Sequence, residues 1–272
     1  MQGIERLLAR GLPLKLKTVA VSINKHEVLA IQQFAEDLGL EFKFDTMMNP
    51  RIDCSQSPLA VRLTPEECIE LDLVDTKRMD EWQLFAERFF GPVHTPETAH
   101  QLYHCGGGIT SFAINPTGEL SICVLSQQDL YPLKTGTFQA GWDQFLREVR
   151  GRPMTRPTKC VSCELKSMCG MCPATAELEN GDPEEPVDFL CQVAHLRAHT
   201  LGLPVAPHGD CAYCAGGAGH DDLLAAAARL RQVRPGADLV SGPRRIPLQM
   251  TGAAVAAGGC ESGGCSSCAT HG

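Results

Sequence analysis

The chain has 272 residues, 43% of them hydrophobic, with a formal net charge of −8 and a pI near 5.6. That length holds one large or two small domains with a real core. The acidic balance argues against a nucleic-acid partner, which needs clustered Lys and Arg. No run of about eighteen apolar residues occurs and no basic-then-apolar leader opens the chain, so neither a membrane span nor a secretory signal is expected. Fourteen cysteines in such a chain read as reduced, metal-binding thiols of the cytoplasm before they read as disulfides.

In chain order, Glu5 to Arg10 reads as the end of a helix stopped by Gly11, and Leu14 to Ser22 alternates apolar residues as a strand does. Asn24 is placed to cap the next helix, whose apolar positions Val28, Leu29, Ile31, Phe34, Ala35 and Leu38 form one face before Gly39. Glu41 to Asp45 is a second strand. Helix, strand, helix, strand is one and a half βα units and predicts parallel pairing. Thr64-Pro65-Glu66-Glu67 then supplies an N-cap, a proline at the first helical position and acids at the positive end of the dipole. Met79 to Phe90 repeats apolar residues at helical spacing up to Gly91-Pro92. Met79, Trp82, Phe85, Phe89 and Phe90 are expected to pack and to do no chemistry.

The ordered cysteines begin at Cys105, followed after twelve residues by Gly118 and after four more by Cys123. They resume as Cys160-x2-Cys163-x5-Cys169-x2-Cys172 and a lone Cys191. Soft thiolates gathered this way suit iron–sulfur clusters or zinc, and their number favours more than one centre. Zinc ribbons separate their two knuckles by about fifteen to twenty residues, so the five-residue spacer fits that architecture poorly. Asn115-Pro116-Thr117-Gly118 is the residue set of a tight turn between two strand-like stretches, Thr110 to Ile114 and Glu119 to Leu125. The hairpin would bring Cys123 back towards Cys105. Arg147, Arg150, Arg152, Arg156, Lys159 and Lys166 gather near the ligand loop, either to offset cluster charge or as a solvated face. Val187 to His199 reads as a closing helix carrying Cys191. His195 and His199 lie four apart on it but are not favoured as ligands. Cys54 and Cys68 read as ordinary small residues.

This pattern resembles the SPASM domain, the auxiliary-cluster module of radical S-adenosylmethionine enzymes that modify peptides and proteins. The family text runs C-x9–15-G-x4-C, a gap, C-x2-C-x5-C-x3-C, a gap and C. The chain departs from it only in that two residues, not three, separate Cys169 and Cys172. Cys105-Gly106-Gly107-Gly108, the run Ser111 to Leu120 and Cys172-Pro173 are similar as well. The resemblance implies that Cys160, Cys163, Cys169 and Cys191 hold one auxiliary [4Fe–4S] cluster and that Cys105, Cys123 and Cys172 hold another with one iron open. It also implies a peptide or protein substrate. The stretch from Ile4 to about Asp72 resembles the last units of that family's partial TIM barrel. The C-x3-C-x2-C loop that holds the S-adenosylmethionine-cleaving cluster does not occur.

The expected class is therefore α/β, in four parts: residues 1–72 as βα units of a partial TIM barrel, 73–100 as a helical connector, 101–203 as a cysteine-rich α+β SPASM module, and 204–272 as a flexible Gly/Ala/Cys-rich tail. Such a chain is expected to be a fragment of a longer frame or a natural half working with a separate radical S-adenosylmethionine core or electron donor. It would use S-adenosylmethionine only with that core present. The alternative is a stand-alone cysteine-rich electron-transfer or zinc-binding protein. In the tail, Asp221 to Val233 alone reads as a helix. Cys211-x2-Cys214 and Cys260-x4-Cys265-x2-Cys268 remain without an assigned role, although the last spacing also occurs in plant-type ferredoxins.

Overall fold

The computed structural model describes residues 2–91, 100–126, 128–239 and 242, so Cys260, Cys265 and Cys268 lie outside the described residues. Helix α1 (Gln2–Leu8) leads to β1 (Lys15–Val19), and α2 (Val28–Asp37) crosses over to β2 (Glu41–Asp45). The strands pair in parallel, Leu16 with Phe42 and Thr18 with Phe44. Asn24 does not cap α2 directly. A 3-10 turn over Lys25–Glu27 intervenes, and the Asn24 side chain folds back to accept from Val21 N (2.8 Å) and donate to Val19 O (3.0 Å). The amide satisfies the strand end in place of the helix start. Among the described residues β1 and β2 form a two-stranded sheet with no further strand on either edge. The described residues thus form a mixed helix-and-sheet molecule, α/β in the broad sense, with one βαβ unit and no partial barrel among them.

Helix α3 (Pro65–Val74) starts as its sequence dictates and adds reciprocity. Thr64 Oγ1 accepts from Glu67 N while the Glu67 carboxylate accepts from Thr64 N, a full capping box. Glu67 also accepts from the buried Lys25 ammonium at 2.7 Å. Helix α4 (Thr76–Phe89) is capped by Asp75. Trp82, Phe85 and Phe90 pack against Leu165 and Met168 as expected, but Phe89 is 45% exposed.

The middle of the chain forms a small antiparallel sheet of β3 (Ala113–Ile114), β4 (Glu119–Ser121) and β5 (Tyr131–Pro132), in the order β3-β4-β5. Its strands are shorter than their alternation suggests. Beyond Ser121 the chain turns, with Ser121 Oγ and Ser126 N both donating to the Cys123 carbonyl. Gly118 takes φ +85°, which a side chain would resist, and the Asn115 carboxamide accepts from Thr117 N and Glu119 N across the turn. Helices α5 (Phe138–Ala140) and α6 (Leu146–Arg150) are joined by one π-helical turn, Gly141–Phe145. Leu120, Ile122, Leu146 and Val149 bury the sheet against this rod.

Four helices follow among the described residues: α7 (Lys166–Cys169), α8 (Pro173–Asn180), α9 (Asp188–Leu201) and α10 (His220–Leu230). Helix α9 packs on both α3 and α10, so its buried face runs nearly all round and its sequence shows little amphipathic bias. One apolar cluster joins Phe44 of β2, Ile69 and Leu71 of α3, Leu196 of α9 and Leu223 and Leu230 of α10. Residues 205–233, part of the 204–272 stretch expected as a tail, contribute side chains to this core. Cys211, Tyr213 and Cys214 are buried in the same core as the N-terminal unit.

Candidate metal centre

The loop from Lys159 to Gly170 is built to present sulfur. Cys163 N donates to Cys160 O (3.4 Å), and a turn later Met168 N donates to Leu165 O, starting the short helix that ends in Cys169. Across from it, α9 contributes Cys191. The four residues Cys160, Cys163, Cys169 and Cys191 line one pocket, with walls of Leu165, Met171, Val187 and Ala194. Burial pushes the Cys163 thiol up to about 12 and that of Cys169 up to about 11, and raises Cys160 as well. Burial in apolar walls favours the neutral thiols, and a bound metal reverses the preference.

Cys105, Cys123 and Cys172 lie in a second region. Cys123 follows β4, and Cys172 caps α8 with its sulfur 3.4 Å from Thr175 N. The Cys123 thiol is raised by burial and then by the neighbouring charges of Cys172 and Cys105, which brings the three into one electrostatic group. A Cβ on Gly107 would sit 2.9 Å from Ile122 O and 3.3 Å from Cys105 Sγ. Glycine is thus what allows the Cys105 loop to lie against the hairpin. Arg150 Nη1 reaches Cys105 Sγ at 3.8 Å and Gly107 O at 3.3 Å.

A third group is compact. His195, His208, Cys211 and Cys214 are all buried, and each offers one donor atom within 4.8 Å of the other three. His195 Nε2 lies 3.5 Å from Cys211 Sγ and 3.6 Å from Cys214 Sγ, and His208 Nδ1 lies 3.4 Å from Cys214 Sγ. Such a Cys/His set can hold a metal ion. Cys191 Sγ is 3.8 Å from Cys211 Sγ, and this hydrogen-bond contact drives the Cys191 thiol up and that of Cys211 down.

The first two groups gather residues singled out in the sequence. The third does not, because its donors stand apart in the sequence. His195 lies four residues from His199, whose ring meets His220 at 5.7 Å between centroids. Cys211 and Cys214 fall in the Gly/Ala-rich stretch beyond α9. The signal that points to them is His208-x2-Cys211-x2-Cys214, a knuckle with an imidazole three residues upstream. The basic cluster divides. Lys159 and Lys166 line the thiol pocket and Arg150 meets Cys105, while Arg152 pairs with Asp129 and Arg156 with Asp182 and Glu185. Cys68 lies in the apolar core with its thiol 3.9 Å from Thr46 O, and Cys54 is buried beside Leu178. Among the described residues no helix is long and apolar enough to cross a membrane. No family model, curated protein or solved structure matches the chain.

Proposed function

We propose that the chain is an iron–sulfur protein of SPASM type, the auxiliary-cluster part of a radical S-adenosylmethionine system that modifies a peptide or protein in the cytoplasm. The observation that carries this reading is the convergence of Cys160, Cys163, Cys169 and Cys191 on one apolar-walled pocket. Four cysteines are the ordinary complement of a [4Fe–4S] cluster, and burial with nearby cations tunes its potential. Lys159 and Lys166 are the cations at hand. Cys105, Cys123 and Cys172 would hold a second cluster, with three thiolates and one iron left for another ligand. Half-burial of Cys123 and Cys172 and exposure of Cys105 would leave that centre open to solvent on the Cys105 side. A cluster, when bound, supplies one-electron transfer. The chain supplies the insulating wall, the charge balance and a surface for the peptide partner, with cleavage of S-adenosylmethionine left to a separate core.

The test is anaerobic reconstitution of the full chain with iron and sulfide. About eight iron and eight sulfide per chain, with visible sulfur-to-iron charge-transfer absorption, are expected. Cys163→Ala should lose roughly half the iron and Cys54→Ala none. Stoichiometric zinc without charge-transfer bands, or equal iron loss in both variants, overturns the proposal.

A further inference from the structure

We propose that His195, His208, Cys211 and Cys214 form a structural site for a single tetrahedral zinc-class ion, separate from the four-cysteine pocket. Zinc bonds of about 2.0–2.1 Å to nitrogen and about 2.3 Å to sulfur place tetrahedral donors about 3.3–3.8 Å apart. The three separations along the group are 3.5, 3.6 and 3.4 Å. They match three of the six edges of such a tetrahedron, and the other three lie within 4.8 Å.

The imidazole of His195 is already set for the task. Its Nδ1–H donates to the Cys191 carbonyl at 2.8 Å, which fixes the tautomer and leaves the Nε2 lone pair facing both sulfurs. An oriented second nitrogen of this kind is the usual support of a metal-bound histidine. His208 Nδ1 lies between Cys214 Sγ and the Ala206 carbonyl at 3.1 Å, so binding selects the tautomer with its proton on Nε2 and gives up the carbonyl contact. The thiol protons leave on loading.

Two histidines and two cysteines also serve the two-iron Rieske centre, but that centre places each pair on a different iron. Here His195 Nε2 lies within 3.6 Å of both sulfurs, and all four donors converge on one point. One ion fits and two do not. A buried set of two nitrogens and two thiolates with no open position is the structural zinc arrangement. Its mechanical result is to fasten residues 208–214 onto α9, where His195 and His208 also wall the thiol pocket.

The assignment does not depend on what the pocket holds, and zinc and iron are counted separately. Titrated with Zn²⁺ alone, the full chain should take about one tightly held equivalent here. Co²⁺ alone should give the intense visible bands of a tetrahedral thiolate site. Cys214→Ser should weaken zinc on the order of 100-fold or more while leaving reconstituted iron unchanged. X-ray absorption at the zinc edge of the unmodified chain, which needs no variant to fold, should find two sulfur and two nitrogen neighbours. Four sulfur neighbours, six-coordinate cobalt, iron in place of zinc, or zinc lost in Cys163→Ala but kept in Cys214→Ser overturns the assignment.

Discussion

Cys68 shows what a sulfur does when it is not a ligand. Enclosed on α3, its thiol is pushed up to about 12 by burial, with the Asp72 carboxylate adding to the effect. The folded chain holds this proton where the unfolded chain releases it at the ordinary value of 9.0. The stabilisation is therefore complete below pH 9.0 and is lost as pH rises towards about 12. Denaturation of the metal-free chain across that window should show falling stability, and Cys68→Ala should flatten the fall. An unchanged slope in the variant would assign it to other groups. The sequence reading of Cys68 as a small buried residue holds at this scale, since one apolar-flanked cysteine without a neighbour in register carries little else. Cys54 holds a surprise that composition could not reveal: it is the one non-glycine among the described residues with positive φ, +62°.

At the scale of elements, α9 ties the molecule together by charge as well as by packing. Arg197 donates to Asp72 through Nε at 3.0 Å and Nη2 at 2.9 Å and lies 3.9 Å over the Trp82 ring, while Arg78 meets the other oxygen of Asp72 and covers Phe44. One carboxylate thus fastens α3, α4 and α9 to β2. Breaking a buried pair leaves an uncompensated charge, so Arg197→Ala should cost about 3 kcal/mol in urea denaturation. Arg156→Ala, at an exposed pair with Asp182, should change the midpoint little. A small effect at Arg197 would place the energy in packing alone. The helix start at Thr64 was legible in the sequence because a cap is local, whereas Asp75, which caps α4 ahead of the apolar repeat read from Met79, was not singled out. The Asp72–Arg197 pair was not, because its partners stand 125 residues apart and either alone reads as a surface charge.

For the whole molecule, the strand pair and the cysteine-bearing loops could be read from period and spacing, but the role of the C-terminal stretch could not. Its glycines and alanines suggest a linker, yet Leu223, Ala226, Ala227 and Leu230 bury one face of α10 in the shared core. Small residues there permit close packing against α9. Removing residues 204–272 should consequently expose apolar surface, lower the thermal midpoint by several degrees and raise hydrophobic-dye binding. A truncated chain as stable as the whole would restore the linker reading. The closeness of Cys191 to Cys211, 3.8 Å between sulfurs, has a further consequence for how the protein is made. A thiophilic ion reaching the empty chain meets five donors where it needs four, and an ion that captures Cys191 robs the adjoining pocket of a thiol. With the two centres filled as proposed, metallation would become a matter of sequence in time: the order in which iron and zinc arrive would decide between a correctly filled molecule and a stably misfilled one.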